Sequence, residues 1–295
     1  MATPQSQPGF DPIIAAKYTS ALMVPLKKTW AFAQEGVTNR DYDGTITGPG
    51  DQVKIGTLSR PTIKKYDESE DMVTDDLVFG DRTIDIDQGD YFNFRVPLVS
   101  THQAEAPVKD PAIDEAAEGM AEQVDTYIAK LMKNGVKSGN NIGTVGIDPE
   151  SRDAYRTLVK LRAKLNAAGV PKDGRFVMVG DEFESALLYD DRLDKIDNGQ
   201  NMLNGVVGRL LGFNIIQAPT VPKVGGREMI IAGHPMATTF GYQITRVAEV
   251  SELPKRWANV VTGLQVYGGG IVRPEALAVA DIDLLDGGAD TEPAA

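Results

Sequence analysis

The stretch 111–134, PAIDEAAEGMAEQVDTYIAKLMKN, reads as one unbroken helix, and it limits what the rest of the chain can be. Pro111 suits the first turn, where its missing N–H costs nothing, with Asp110 ahead of it as N-cap. Asp114, Glu115 and Glu118 load the N-terminal half, Lys130 and Lys133 load the last turns, and Gly135 stops the helix. That is the charge order the helix dipole favours. Ile113, Ala116, Ala117, Met120, Val124, Ile128 and Leu131 recur at helical spacing and form one apolar stripe. At about 1.5 Å per residue the helix is roughly 35 Å long, the width of a small domain. Only a wide sheet or a neighbouring subunit can cover such a stripe.

The segments before the helix look extended and poor in core residues. Residues 1–40 read as an arm. Its interrupted apolar pattern over 12–32 is broken by Pro25 and ends in Trp30 and Phe32, which are costly to leave in water. The arm must therefore pack on the body or on another chain. From residue 42 the period becomes two: Val53, Ile55 and Thr57, then Thr83 to Asp87, then Tyr91 to Val96, ending at Pro97. Between the outer strands lies a charged excursion, with Arg60, Lys64 and Lys65 followed by Asp67, Glu68, Glu70, Asp71, Asp75 and Asp76. Its adjoining blocks of opposite sign can pair with complementary blocks on another copy, or can form a solvated hairpin. Trp30, Phe32 and these nine charged residues are the expected inter-subunit contacts.

After the helix the chain looks globular. Residues 136–149, rich in Gly and Asn, read as a linker or turn. A helix over 151–168 is followed by a buried strand at 175–180, a helix over 182–189 capped by Asp181, and a partly helical stretch over 201–211. The run LLGFNIIQAP is a turn entering a strand, and 229–233 is another buried strand. A short helix or turn opens at Pro235, and further strands cover 239–250, 259–267 and 271–283 before an acidic tail. Gly268, Gly269 and Gly270 lie between two apparent strands. They read as a hairpin turn or a place where backbone approaches closely. Without regular βαβ repetition the fold class is α+β.

Composition narrows the function. The chain has 295 residues, 42% hydrophobic and 24% charged, enough for one large core or two moderate ones. No apolar run approaches the roughly 18 residues of a membrane span, the start carries no secretory pattern, and cysteine is absent. The net charge of −12 argues against a protein that reads nucleic-acid sequence, which would carry a basic face. His102 and His234 stand far apart, and HExxH, Walker and GxSxG patterns are missing. The pairs Asp190–Asp191 and Asp181–Glu184 lie at helix ends, where capping and solvation explain them. The reading therefore expects no catalytic residue, no metal and no cofactor.

The order of parts resembles the major capsid (coat) proteins of tailed double-stranded DNA bacteriophages, with the Hong-Kong-97-like fold. Gly169-Val170-Pro171 before the strand 176–179 and the helix from Asp181 is similar to one family passage. The run from Arg209 to Pro219 is similar to the family's L-x-G-x-P-V-V-x-S segment, with Asn214 in place of the proline. Ala232-Gly233-His234 and the run from Arg273 to Val279 are similar to a strand end and to the closing strand.

The resemblance implies an N-terminal arm (1–40), an extended loop (41–97) and a peripheral domain (98–145 and 255–285) with spine helix 111–134. An axial domain (146–254) and an acidic tail (286–295) complete the expected layout. It further implies pentamers and hexamers of the chain itself, closing into an icosahedral shell around DNA held without sequence-specific contact, as the virion capsid assembled in the host cytoplasm. Expected partners are a portal protein, a separate scaffolding protein (no scaffolding segment precedes the arm) and a decoration protein. No residues match those of the covalent Lys–Asn cross-link that some members form. Two alternatives stand beside this reading: an encapsulin-like nanocompartment shell, and a soluble enzyme with a cryptic carboxylate site.

Overall fold

The computed structural model describes residues 30–41, 52–58, 62, 63, 65, 74, 76, 79–97, 109–148, 153–188, 208–250 and 258–285. The expected arm over 1–29, the partly helical stretch over 201–207 and the tail over 286–295 lie outside them.

The long helix, α1, runs Lys109–Gly135, so Asp110 falls inside its first turn and is not its cap. Ile113, Ala117, Met120, Ala121, Val124, Ile128 and Met132 are buried along it. Their face meets a three-stranded antiparallel sheet of order β10-β11-β3, made of β3 (Gln88–Pro97), β10 (Thr238–Val250) and β11 (Ala258–Ile271). Period-two patterning in β3 turns Phe92 and Phe94 toward the core and leaves Tyr91, Asn93 and Arg95 exposed.

A seven-stranded mixed sheet forms the other layer. Its order is β4-β12-β9-β5-β7-β6, with β8 paired to β9. The strands are β4 (Asn141–Ile147), β5 (Arg175–Val179), β6 (Arg209–Leu210), β7 (Phe213–Gln217), β8 (Lys223–Val224), β9 (Arg227–Gly233) and β12 (Leu277–Leu284). The central strands β5 and β9 are almost wholly buried, which explains their continuous apolar runs. The helices α2 (Asp153–Ala167) and α3 (Asp181–Leu188) add Leu158, Leu161, Leu165, Phe183 and Leu187 to the same core. Leu211 and Gly212 both take positive φ (53° and 81°), the geometry of a two-residue hairpin turn, and glycine supplies it without strain.

Two expectations are corrected. The linker expected at 136–149 contains β4, an edge strand whose Gly143 and Gly146 disguise it as a turn. The three glycines do not turn the chain, because β11 continues straight through them, so close backbone approach is their purpose. β4, which spans the expected boundary at 145/146, and β12 hydrogen-bond to each other and, through β9, into the large sheet. The apolar Leu277-Ala278-Val279-Ala280, buried on both faces, needs that interior position.

The remaining pair, β1 (Gln52–Leu58) and β2 (Phe79–Asp85), forms a separate two-stranded antiparallel ribbon. Its strands flank the charged excursion expected from the sequence, of which residues 62, 63, 65, 74 and 76 are described.

Candidate assembly surfaces

The ribbon stands on the three-stranded sheet by its foot. Ile55, Ile84, Ile86 and Val266 make a small buried cluster distinct from the main core. A side chain on Gly268 would strike the Asp85 carbonyl oxygen and come within 2.7 Å of the Ile86 Cα, and one on Gly270 would come within 2.9 Å of Ile84. The glycines form a bare track on which the ribbon rests. Gln52 donates to Asp85 across the foot at 2.8 Å.

The described residues between β1 and β2 lack this support. Thr62, Ile63, Lys65, Thr74 and Asp76 are exposed, Ile63 at 86%. Lys65 and Asp76 are thus surface charges. Arg60, Lys64, Asp67, Glu68, Glu70, Asp71 and Asp75 lie outside the described residues.

Trp30 and Phe32, expected as inter-subunit contacts, are buried in the core of their own chain, 4% and 0% exposed. Trp30 meets Phe240 and Tyr242 edge-on, with ring centroids 6.5 and 5.0 Å apart, and the Arg40 guanidinium lies 4.6 Å above its ring. Asn39 then joins the edge of β10, donating to the Thr238 carbonyl at 2.9 Å while its own carbonyl accepts from Phe240 at 3.0 Å.

The sequence reading missed what fixes this corner. Asp125 lies buried in the middle of α1 and accepts three successive backbone N–H groups, from Ala31 at 2.7 Å and from Phe32 and Ala33 at 3.0 Å each. Burial pushes its carboxyl up to about 6 even though the three donors pull the other way. The available signal was an acid between Val124 and Ile128 on the buried side of an otherwise apolar stripe. Such a group needs donors.

Beside α1, a groove of about 430 Å³ opens against β3, lined by residues 89–92 of the strand and by Ala116, Gly119, Met120 and Gln123 of the helix. Asp90 at its edge accepts from the Tyr267 hydroxyl at 2.7 Å and from Gln265 Nε2 at 3.2 Å. Burial and that bond to Asp90 hold the Tyr267 phenol well above its ordinary range, so it stays a donor.

Of the residues weighed for chemistry, His234, Asp181 and Glu184 are described. His234 Nδ1 accepts from the Met236 backbone at 3.2 Å, and burial lowers its pKa. Glu228 accepts from the Glu182 N–H at 3.2 Å and so caps α3, the part assigned to Asp181 in the sequence reading. Burial raises Glu184, helped by neighbouring Asp181, at the exposed start of α3. His102, Asp190 and Asp191 lie outside the described residues. Among the described residues no three potential ligands converge on a metal position, and no described helix is long and apolar enough to cross a membrane.

A long helix across one sheet, a second mixed sheet and a two-stranded ribbon footed on the first define the Hong-Kong-97-like class of shell-forming subunits. A family model described as phage capsid protein matches residues 84–280, and the chain belongs to that family. It is a structural protein of the virion capsid. Solved structures agree on the fold. A Mycobacterium phage Che8 chain is 24% identical, with TM-score 0.66 over 82% of this chain and 88% of that one. The capsid of Ralstonia phage GP4 is 11% identical, with TM-score 0.64 over 97% and 98%. The mature capsid of bacteriophage PhiM1 is 13% identical, with TM-score 0.62 over 96% and 91%. No curated protein matches the sequence.

Proposed function

We propose that the subunit closes into an icosahedral shell of pentamers and hexamers around double-stranded DNA, and that the excursion makes the decisive contacts between copies. The observation that carries this is the ribbon itself. An isolated two-stranded hairpin is marginal in water, and here, among the described residues, Ile55, Ile84 and Ile86 bury against Val266 of the sheet while the stretch beyond β1 exposes Ile63 and Lys65. Such a projection is stabilised when another copy covers it. Lys65 and Asp76, with Arg60, Lys64, Asp67, Glu68, Glu70, Asp71 and Asp75, are the proposed contact residues.

In this reading the three-stranded sheet with α1 is the peripheral domain, and the large sheet with α2 and α3 is the axial domain that meets its copies around the symmetry axes. Repeated heterologous contacts close into rings and then shells, and each can be weak because many act together. The net charge of −12 keeps the wall from adhering to packaged DNA. The subunit works without catalysis, assembles in the host cytoplasm and meets a portal protein, a separate scaffolding protein and a decoration protein.

Deleting residues 56–80 tests the central contact. The body should remain folded by circular dichroism, and shells should be lost by electron microscopy. Normal shells from the deletion would make the ribbon mere decoration.

A further inference from the structure

Two surfaces of opposite sign stand on different layers of the fold. On α1, Asp114, Glu118 and Glu122 recur at a spacing of four, with Glu115 beside them, and all four are exposed. The chain holds no Lys or Arg between Lys109 and Lys130, so nothing on that stretch of helix balances them. On α2, Arg156, Lys160 and Lys164 recur at the same spacing and are exposed, and residues 154–172 contain no acid. Residues four apart share a helix face. Each helix therefore carries a stripe of one sign about 12 Å long. The stripes match in length as well as in charge.

The subunit does not set one stripe against the other. Among the described residues no ion pair joins them. Arg156 pairs with Asp153 of its own helix at 3.2 Å, and Lys164 donates to the Gly139 carbonyl at 2.8 Å. The Arg156 side chain is 70% exposed, so that pair contributes little and exchanges readily. Glu122, the nearest of the α1 acids to Gly135, still lies about 20 Å along the axis from that end of the helix. Val159, 42% exposed and next to Lys160 in sequence, adds apolar area to the basic face. In a chain of net charge −12, a second copy offers far more acid than base to such a face.

We propose that copies join head to tail through these stripes, the acidic face of α1 on one subunit receiving the basic face of α2 from the next. Each copy then gives one stripe and accepts another, the heterologous contact from which rings close. This rests on the reading that the chain assembles into a shell, and it names surfaces that orient neighbours within it. Single exposed pairs are weak and screened by salt. Complementary stripes therefore select the right neighbour, because like charges face to face oppose docking.

Charge reversal on the full chain, read by sedimentation and electron microscopy, tests the contact. Arg156→Glu with Lys160→Glu, and separately Glu118→Lys with Glu122→Lys, should each lower the shell fraction at least about tenfold. The thermal midpoint of the subunit should move by no more than about 2 °C, since all four side chains are exposed. The four changes together exchange the signs and should recover shells. Glu35→Lys with Glu275→Lys offsets the net charge from exposed positions off both stripes; added to the α2 pair, it should recover none. Wild-type yield from either reversed pair, failure of the fourfold variant or recovery by the net-charge control overturns the proposal. If the α2 pair forms normal shells while the unassembled subunit loses retention of duplex DNA in a mobility-shift assay, the basic stripe belongs to the nucleic acid instead. Absence of shells from the wild-type chain removes the assembly reading itself. Because the chain has no cysteine, Glu115→Cys with Val159→Cys in shells treated with a short bis-maleimide should give ladders above dimer on a denaturing gel. Ladders that stop at dimer overturn the head-to-tail arrangement.

Discussion

Replacing Asp125 with Ala removes the single acceptor of three consecutive N–H groups, and the structure sets the scale of the loss. The Phe32 and Ala33 donors are buried, and each left unpaired costs about 1–3 kcal/mol. The Ala31 donor is only partly buried and can turn to water. Loss of side-chain packing adds about 1 kcal/mol. Against this, the ionised carboxylate no longer has to be buried. Its rise from 3.8 to about 6 corresponds to roughly 3 kcal/mol at about 1.4 per unit. The difference is a net loss of about 2 kcal/mol, or a thermal midpoint lower by about 4–8 °C.

The arm itself should stay in place. Trp30 and Phe32 are buried, and at about 25 cal/mol per Å² two such side chains contribute roughly 8–12 kcal/mol. Calorimetry should therefore show the lower midpoint, and Trp30 emission should remain that of a buried indole. An unchanged midpoint, or a red shift of the full exposed size, would refute the reasoning.

Three further perturbations follow from the same geometry. Because the folded pKa of Asp125 is raised to about 6, the folded state holds the extra proton between about pH 4 and 6. Its contribution is therefore fully present below about 4 and lost as pH rises through 6; Asp125→Asn should abolish that part of the pH dependence, measured as the difference from wild type in denaturant titrations. Val124→Asp puts an unpaired charge into the face of α1 that meets the core, at a cost of several kcal/mol, and the variant should be found in the insoluble fraction. Gly268→Val drives a side chain into the backbone of residues 85 and 86, so tryptic cleavage after Lys65 should accelerate while the circular dichroism of the body is retained.

The helix and the period-two strands were legible because burial on one side writes itself into the spacing of apolar residues, and α1 extends only two residues beyond the expected start and one beyond the expected end. Features set by distant partners were not legible. The Gly268–Gly270 track depends on Ile84 and Ile86, some 180 residues earlier, so the sequence left a turn and a close approach equally open. β4 was hidden because an edge strand with two glycines carries little periodic signal. Asp125 looked like one acid among many, since its donors come from Ala31, Phe32 and Ala33. The destination of Trp30 and Phe32 was legible as burial but not as burial within the same chain. The charged residues of the excursion were legible as surface, which Lys65 and Asp76 are.

The central claim is that this chain is a tile whose outstretched ribbon is covered by other copies. Electron microscopy of the purified full chain, under conditions that promote assembly, tests it most directly. The account predicts closed shells of megadalton mass in which each ribbon lies on a neighbouring subunit. A population of monomers or small oligomers under every condition, with the ribbon ordered against its own body, would contradict it.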